Sequence, residues 1–189
     1  MPLLLQDLAF MVSDHLQKKS IDAILTGGAC VTLYTDNADS SFDLDFVLRH
    51  YQEPRRIKAA MEELGFRLES GRFVHPDSDF FVEILPPPPS VGEEPIRRTA
   101  RRRRGALRLE MLTPTDCVKD RLAAFYHWHD RPSLVQALLV AVHQKIDLRD
   151  IGRWSKAEEM AEPYLVFRRA LRERALKTMA VRPGRAGKK

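Results

Sequence analysis

The sequence predicts an α+β fold, in which a mixed sheet flanked by helices is followed by a C-terminal helical bundle. Two observations carry this prediction. Up to about residue 112, short apolar runs alternate with turn residues, as strands joined by short helices do. From Leu112 onward the apolar period changes from two to 3.6 and stays helical to about residue 179. Hydrophobic residues make up 44% of the 189 residues, which is enough for a real core.

The first fifty residues predict two helices and two strands. Residues 3–19 form an amphipathic helix, because their apolar side chains recur at helical spacing. Residues 20–26 then form a short buried strand that ends at Gly27 and Gly28. The elements that follow are a short helix over 29–34, a polar turn over 36–41 and a strand over 42–49.

The next sixty residues alternate between one helix and several strands. A helix begins at Pro54 and ends at Gly65, since proline suits the first turn and glycine the stop. Strands are predicted over 66–69, 72–74, 79–85 and 106–112. Prolines 86–89 end the third of these strands, because proline cannot continue a ladder. The polar and very basic segment 90–105 predicts a mobile loop.

The remaining residues predict a bundle of four helices. Thr113 is the expected cap of the first, with Pro114 at its first position and Asp116 in its first turn. The others are predicted over 132–145, 147–158 and 163–179. We therefore predict a sheet domain over 1–112, a helical domain over 113–181 and a basic disordered tail over 182–189.

Composition narrows the class of protein and of partner. The net charge of +5 favours a polyanionic partner such as RNA, DNA or a nucleotide. No apolar run approaches the ~20 residues of a membrane span, so no membrane partner is expected. The first residues lack the basic end and cleavage site of a signal peptide. Because Cys30 and Cys117 have no metal-type spacing, we expect buried thiols in a cytoplasmic protein.

Two aspartates lie one residue apart in the strand predicted over 42–49. Since successive side chains of a strand point to opposite faces, Asp43 and Asp45 share one face, with Cα atoms roughly 6.5 Å apart. Two such carboxylates repel each other unless a cation lies between them, so the pair is a candidate Mg²⁺ site. Glu83 offers a third carboxylate, which is costly to bury unless it is paired or metal-bound.

The glycine pair supplies a second part of a candidate site. At Gly27 and Gly28 the backbone could approach a triphosphate, and the amides of the following helix start could bind the anion. Carboxylates on adjacent strands could hold one or two Mg²⁺ ions that bridge phosphate oxygens and activate a hydroxyl. The combination predicts phosphoryl-transfer chemistry.

This order of motifs resembles the nucleotidyltransferase superfamily of the DNA polymerase beta type. The resemblance rests on Gly27-Gly28, on Asp43-Leu44-Asp45 and on Glu83, where an aspartate is more usual. Residues 25–34 and 41–47 are most similar to the bacterial branch that holds the type IV abortive-infection toxins and related uncharacterised proteins. The resemblance implies that the mixed sheet of residues 1–112 is nucleotidyltransferase-like.

The resemblance also implies an activity and a set of roles. Such enzymes use Mg²⁺ and a nucleoside triphosphate, transfer a nucleotidyl group to a hydroxyl and release pyrophosphate. Asp43 and Asp45 would ligate two metal ions, and Glu83 would ligate the catalytic ion and help to deprotonate the acceptor. The residues implied in nucleotide binding are Gly27, Gly28, Ser41, Lys119 and Arg121.

Two of these residues, Lys119 and Arg121, come from the predicted helical domain. Lys119 could bind the triphosphate as a point charge, and Arg121 could bind it through the paired N–H groups of its guanidinium. Alternatively, both residues could form only the solvent-exposed face of an amphipathic helix. Asp130 and Arg131 are further candidates, although they also fit a helix cap with a surface ion pair.

The acceptor stays open at this point. Acceptors in the superfamily include RNA 3′ ends, protein hydroxyls and antibiotics, and the toxin branch implies a cognate antitoxin protein as partner. The basic run Arg97–Arg104 could hold the backbone of RNA or tRNA, or could be a solvated loop. Two alternatives to a toxin-like enzyme remain: a non-catalytic relative that binds nucleic acid or a partner protein, and an antibiotic-modifying enzyme.

Overall fold

The computed structural model describes residues 3–38 and 41–181, and side chains as far as residue 174. The helices in this part of the chain are α1 Leu5–Lys18, α2 Gly27–Tyr34, α3 Pro54–Glu63, α4 Pro114–Trp128, α5 Arg131–His143, α6 Leu148–Ala157 and α7 Ala161–Val181. The strands are β1 Ala23–Thr26, β2 Asp43–Leu48, β3 Arg67–Glu69, β4 Arg72–Val74, β5 Phe81–Leu85, β6 Ser90–Val91, β7 Glu94–Pro95, β8 Thr99–Arg104 and β9 Leu107–Leu112.

Seven of these strands form one mixed sheet in the order β3-β4-β5-β2-β1-β9-β8. Strand β2 runs parallel to β5, and β1 runs parallel to β9, while the remaining pairs are antiparallel. Strands β6 and β7 form a separate small hairpin. The predicted α+β class, with helices around a mixed sheet and a helical C-terminal half, is confirmed.

Alternation along β2 separates the core from the candidate site. Leu44, Phe46 and Leu48 are buried on one face of the sheet. Asp43 and Asp45, at the intervening positions, are half-buried on the other face. The apolar side chains therefore fix the register of this central strand, since a slip of one residue would bury both carboxylates.

The prediction of a mobile loop over residues 90–105 is wrong, because this segment contains β6, β7 and β8. Strand β8 pairs with β9 along its whole length. Arg102 anchors it by donating to the Leu33 carbonyl at 2.9 Å, with its guanidinium over the Tyr34 ring. A strand built from arginines lacks the apolar alternation by which strands are recognised, so its sequence indicated a solvated segment.

The helical half begins as predicted. The Thr113 side chain accepts a hydrogen bond from the Asp116 amide, so the predicted cap of α4 is confirmed. One continuous buried cluster joins both halves of the chain, with Phe46 from the sheet and Trp154 from α6 among its members. The domain boundary at residue 112 stays a prediction, and the predicted tail over 182–189 lies outside the described residues.

No helix in the described part of the chain is both long enough and apolar enough to cross a bilayer.

Candidate active site

The three predicted carboxylates come from neighbouring strands. In the parallel pairing of β2 with β5, Asp45 lies directly opposite Glu83, and Asp43 lies two residues earlier on β2. Side chains at opposed positions share a face, so Asp43, Asp45 and Glu83 all project from one side of the sheet. The structure thus brings together residues that are 40 positions apart in sequence.

The charge in this cluster is not balanced by the groups around it. Burial raises the pKa of Asp45 to about 6, and the neighbouring charges of Asp43, Glu83 and Asp120 add to the effect. Arg121 opposes the increase but does not cancel it. A carboxyl group with this pKa indicates surplus negative charge, which a cation would neutralise.

The glycine pair lies against Asp45 and Ser41. Gly27 has φ +67°, and a Cβ at this position would overlap the Asp45 carboxylate. A Cβ on Gly28 would come within 2.8 Å of the Ser41 hydroxyl. Both positions therefore require a residue without a side chain, and the start of α2 can lie against the carboxylate strand.

Ser41 connects the start of α2 to the acidic cluster. Its hydroxyl donates a hydrogen bond to Asp43 Oδ1 at 2.6 Å, and its amide donates to the Thr32 hydroxyl of α2 at 3.2 Å. These bonds orient the Asp43 carboxylate. The role of Ser41 in nucleotide binding stays a prediction, and its hydroxyl is engaged by Asp43 in this structure.

Arg72 is a contact of the site that the sequence analysis missed. Its Nε donates to Glu83 Oε1 at 2.8 Å, and its guanidinium lies 4.4 Å from the centre of the Phe81 ring. Arg72 comes from β4, whose register against β5 places it next to Glu83. An exposed arginine in a three-residue strand gives no local signal of this pairing, because the signal lies in the strand order.

Arg121 lies close enough to Asp45 to lower its pKa. The guanidinium is held by the neighbouring Asp120, with Nη2 at 2.6 Å from Oδ2, and by Gln136 at 3.4 Å. Helix α4 thus presents a cation and an additional acid towards the carboxylate cluster. The proposed contact of Arg121 with the triphosphate is consistent with this placement.

Lys119 occupies a different environment on the same helix. Only 1% of its side chain is exposed, and Nζ lies 2.6 Å from Asp150 Oδ2 and 2.9 Å from Glu94 Oε1. A third acid, Asp116, is at 3.6 Å. The role of Lys119 as a triphosphate ligand stays a prediction, but it requires an ammonium group that three carboxylates already hold.

The second candidate pair, Asp130 and Arg131, lies at the start of α5. Asp130 is the N-cap residue of that helix, and its carboxylate accepts a hydrogen bond from the Ser133 hydroxyl. The Asp130 side chain makes no hydrogen bond to the helix amides, so the helix-cap interpretation rests on its N-cap position alone.

The donor set fits a hard divalent cation, because it consists of carboxylate oxygens with surplus charge. In the part of the chain that the structure describes, however, no three His, Cys, Asp or Glu side chains converge as a ready-made metal-binding group. One oxygen of the third carboxylate, Glu83, is directed to the Arg72 guanidinium. The metal-ligating roles of Asp43, Asp45 and Glu83 stay predictions.

Comparisons with known proteins give structural matches alone. No protein-family model matches the chain, and no curated protein matches it. A crystal structure of ANT(2″)-Ia in complex with adenylyl-2″-tobramycin is similar at a TM-score of 0.47 and 12% identity, over 84% of this chain and 94% of that one.

Two further solved structures are similar. A solution structure of the antibiotic-resistance factor ANT(2″)-Ia matches at a TM-score of 0.42 and 14% identity, over 89% of this chain and 91% of that one. An antigenic nucleotidyltransferase-like protein from Paracoccidioides brasiliensis matches at 0.47 and 13% identity, over 87% and 94%. We therefore infer function from this chain's own residues.

Proposed function

We propose that this protein is a Mg²⁺-dependent nucleotidyltransferase that moves a nucleoside monophosphate from a nucleoside triphosphate to a hydroxyl acceptor. The observation that carries the proposal is the register of Asp45 opposite Glu83, with Asp43 beside them and Gly27 in contact with Asp45. Nucleotide binding requires groups that hold phosphates, which the amides at the start of α2 offer. Phosphoryl transfer requires ligands for metal ions, which the neighbouring carboxylates offer.

The proposed reaction exchanges one P–O bond for another. The acceptor oxygen forms a bond to the α-phosphorus, the bond from that phosphorus to the bridging oxygen of the β-phosphate breaks, and pyrophosphate leaves. The hydroxyl proton passes to a carboxylate oxygen of the cluster. Glu83 is suited to accept it, because this side chain stands on β5 at the edge of the cluster and is partly exposed.

Asp43 and Asp45 would hold the Mg²⁺ ions, with Glu83 as a further ligand after release from Arg72. The ions would supply positive charge next to the transferred phosphate and lower the pKa of the attacking hydroxyl. Ser41 would keep Asp43 oriented through the hydrogen bond to its Oδ1. The raised pKa of Asp45 returns towards its ordinary value when a cation joins the cluster.

The phosphates of the triphosphate would lie at the start of α2. Thr26, the N-cap residue of this helix, makes no side-chain capping bond, so amides of the first turn stay available to an anion. Gly27 and Gly28 allow the phosphates to approach this turn closely. Arg121 of α4 would balance the negative charge of the phosphates, because its guanidinium can donate two parallel hydrogen bonds to phosphate oxygens.

The toxin-like role and the cognate antitoxin partner, which the resemblance implies, stay predictions of that resemblance. A small antibiotic acceptor and a purely binding role remain the alternatives. The three carboxylates on one face favour catalysis over binding alone, because phosphoryl transfer uses carboxylates to hold its metal ions and binding alone does not require them.

Isothermal titration calorimetry with non-hydrolysable nucleoside triphosphates tests this proposal. We expect binding to be at least about tenfold tighter with Mg²⁺ than with a chelator, since the cation joins the carboxylates to the phosphates. Asp43→Asn should lose this dependence on Mg²⁺, whereas Asp22→Asn, an exposed position at the other end of β1, should retain it. The absence of binding for all four nucleotides with Mg²⁺ would contradict the proposal.

A further inference from the structure

The four consecutive arginines of β8 divide between the two faces of the sheet. Arg102 and Arg104 share one face and have partners there. Arg102 donates to the Leu33 carbonyl, and Arg104 pairs with Asp7 of α1. These two arginines are therefore used to attach the edge strand to the helices.

Arg101 and Arg103 project from the opposite face and are exposed. On the neighbouring strand, Arg108 lies directly opposite Arg103, and Glu110 lies opposite Arg101. Three guanidinium groups thus share a small area, which we name the β8–β9 arginine face: Arg101, Arg103 and Arg108. Arg103 and Arg108, directly opposed across the strand pair, repel each other, and an anion between them would relieve this repulsion.

The acids near this face are already engaged. Glu110 Oε1 accepts from Arg49 at 2.6 Å and from the Thr99 hydroxyl at 2.5 Å. Asp14 of α1 accepts from the Arg108 backbone amide, and its other oxygen pairs with Lys18 at 2.7 Å. Among the described residues, no carboxylate forms an ion pair with a guanidinium of the arginine face.

The face also has a concave shape. A cavity of about 250 Å³ is lined by the three arginines, by Gln17 and Glu110, and also by Arg102 and Leu109 of the same two strands. Such a volume accommodates a phosphate group and leaves room for its neighbours along a chain. The guanidinium fork is the side chain best suited to phosphate oxygens, because it donates two parallel hydrogen bonds.

Register places this face on the same side of the sheet as the carboxylates. Thr26 lies opposite Asp45, and the preceding residue, Leu25, lies opposite Met111. Because side chains alternate, Glu110 and its neighbour Arg101 on β8 share the side of Thr26 and Asp45. Three strand spacings, about 14 Å, separate β8 from β2 across the sheet. Arg101 also lies two positions further along the strands, level with Val47 rather than with Asp45.

We propose that the β8–β9 arginine face binds the phosphate backbone of an RNA acceptor strand. Arg101 and Arg103 are two residues apart on one strand, about 7 Å, so they present a repeat of positive charges rather than one point. A repeating anion matches this arrangement better than a single phosphate does. The identification of the bound strand as the acceptor rests on the proposed nucleotidyl transfer. The binding of RNA to this face is independent of that proposal.

Binding of a fluorescein-labelled single-stranded RNA of twenty nucleotides, measured by anisotropy without nucleoside triphosphate, tests the proposal. Arg101→Gln/Arg103→Gln should weaken binding roughly 10- to 30-fold at 0.1 M salt, because each phosphate contact releases about 0.7 counterions. The slope of log K against log salt should become shallower by about 1.4. The thermal midpoint should change little, because in the described part of the chain neither guanidinium forms an ion pair with a carboxylate, and Arg101 interacts with Glu110 only as a neighbouring charge.

The matched control is Arg169→Gln/Arg172→Gln, which removes two exposed arginines from α7 and changes the net charge equally. The helix α7 also has a basic surface, lined by Arg168, Arg169 and Arg172, so it is the rival RNA site. Retained binding in this variant supports the arginine face. Equal affinity of the Arg101→Gln/Arg103→Gln variant and the unmodified protein, or a larger loss in the α7 variant, would overturn the proposal.

This experiment is independent of catalysis. A protein that binds RNA through the arginine face but transfers no nucleotide would contradict the proposed function and support the present inference. A protein that transfers nucleotide but binds RNA equally well after the Arg101 and Arg103 changes would support the proposed function and contradict the present inference.

Discussion

Asp45→Asn is expected to raise the thermal midpoint of the metal-free protein by roughly 4–8 °C at pH 7.5. The pKa of Asp45 is raised from 3.8 to about 6 by burial and by its acidic neighbours. About 2 pKa units correspond to roughly 3 kcal/mol, and partial solvent exposure reduces this to about 2 kcal/mol. For a protein of this size, 1 kcal/mol is roughly 2–4 °C. The asparagine relieves the repulsion that the carboxylate maintains.

The effect should depend on pH in a defined direction. Because the folded-state pKa of Asp45 lies above the unfolded value, the folded protein holds the proton more tightly. This contribution to stability is fully present below about pH 4 and is lost as pH rises through about 6. The difference in midpoint between Asp45→Asn and the unmodified protein should therefore be small at pH 4 and complete above pH 7.

Differential scanning fluorimetry in a chelating buffer, across pH 4–8, measures this difference. Asp22→Asn serves as the control, since its exposed side chain lies away from the acidic cluster. Added Mg²⁺ should raise the midpoint of the unmodified protein and leave Asp45→Asn unchanged, because a ligand that binds the folded state stabilises it. A lower midpoint for Asp45→Asn than for Asp22→Asn at pH 7.5 would show that the carboxylate is not under repulsion.

Lys119→Met is expected to destabilise the protein by about 3–5 kcal/mol, a decrease of roughly 10 °C in the midpoint. Burial lowers the pKa of Lys119, but hydrogen bonds to Asp150 and Glu94 and the charge of Asp116 outweigh this and raise it. The ammonium group is therefore charged at neutral pH. Its removal takes the buried cation away from Asp116, Glu94 and Asp150 and leaves two of them with only the exposed Arg153.

Arg153→Met is the matched control for Lys119→Met. Arg153 contacts the same two acids, Glu94 and Asp150, but more than half of its side chain is exposed, so the loss should stay below about 1 kcal/mol. Chemical denaturation of both variants gives the comparison. Equal losses would contradict the prediction. A stable Lys119→Met that no longer binds nucleotide would support the role of Lys119 as a triphosphate ligand.

Local patterns were enough to predict the acidic strand and its glycine neighbours. Period-two alternation put Asp43 and Asp45 on one face, and the paired glycines marked the start of α2. Glu83 was predicted as a strand residue, but only the parallel pairing of β2 with β5 shows that it lies opposite Asp45. The sequence thus predicted best the features that depend on the spacing of nearby residues along the chain.

The missed features depend on contacts between distant segments. Arg72 reaches Glu83 because β4 pairs with β5, and Lys119 is buried because the β6–β7 hairpin brings Glu94 to α4 and α6. Sequence spacing carries no information about either contact. The arginines of β8 were recognised as basic, but their division between two faces required the register with β9.

The most direct test of the central claim is transfer of label from nucleoside triphosphates labelled at the α-phosphate. The protein is incubated with each nucleotide, Mg²⁺ and total RNA, and label in RNA and release of pyrophosphate are measured together. We predict Mg²⁺-dependent labelling that falls at least about 100-fold in Asp45→Asn and persists in Asp22→Asn. Labelling that is unaffected by Asp45→Asn would contradict the assignment of Asp43, Asp45 and Glu83 as the active site.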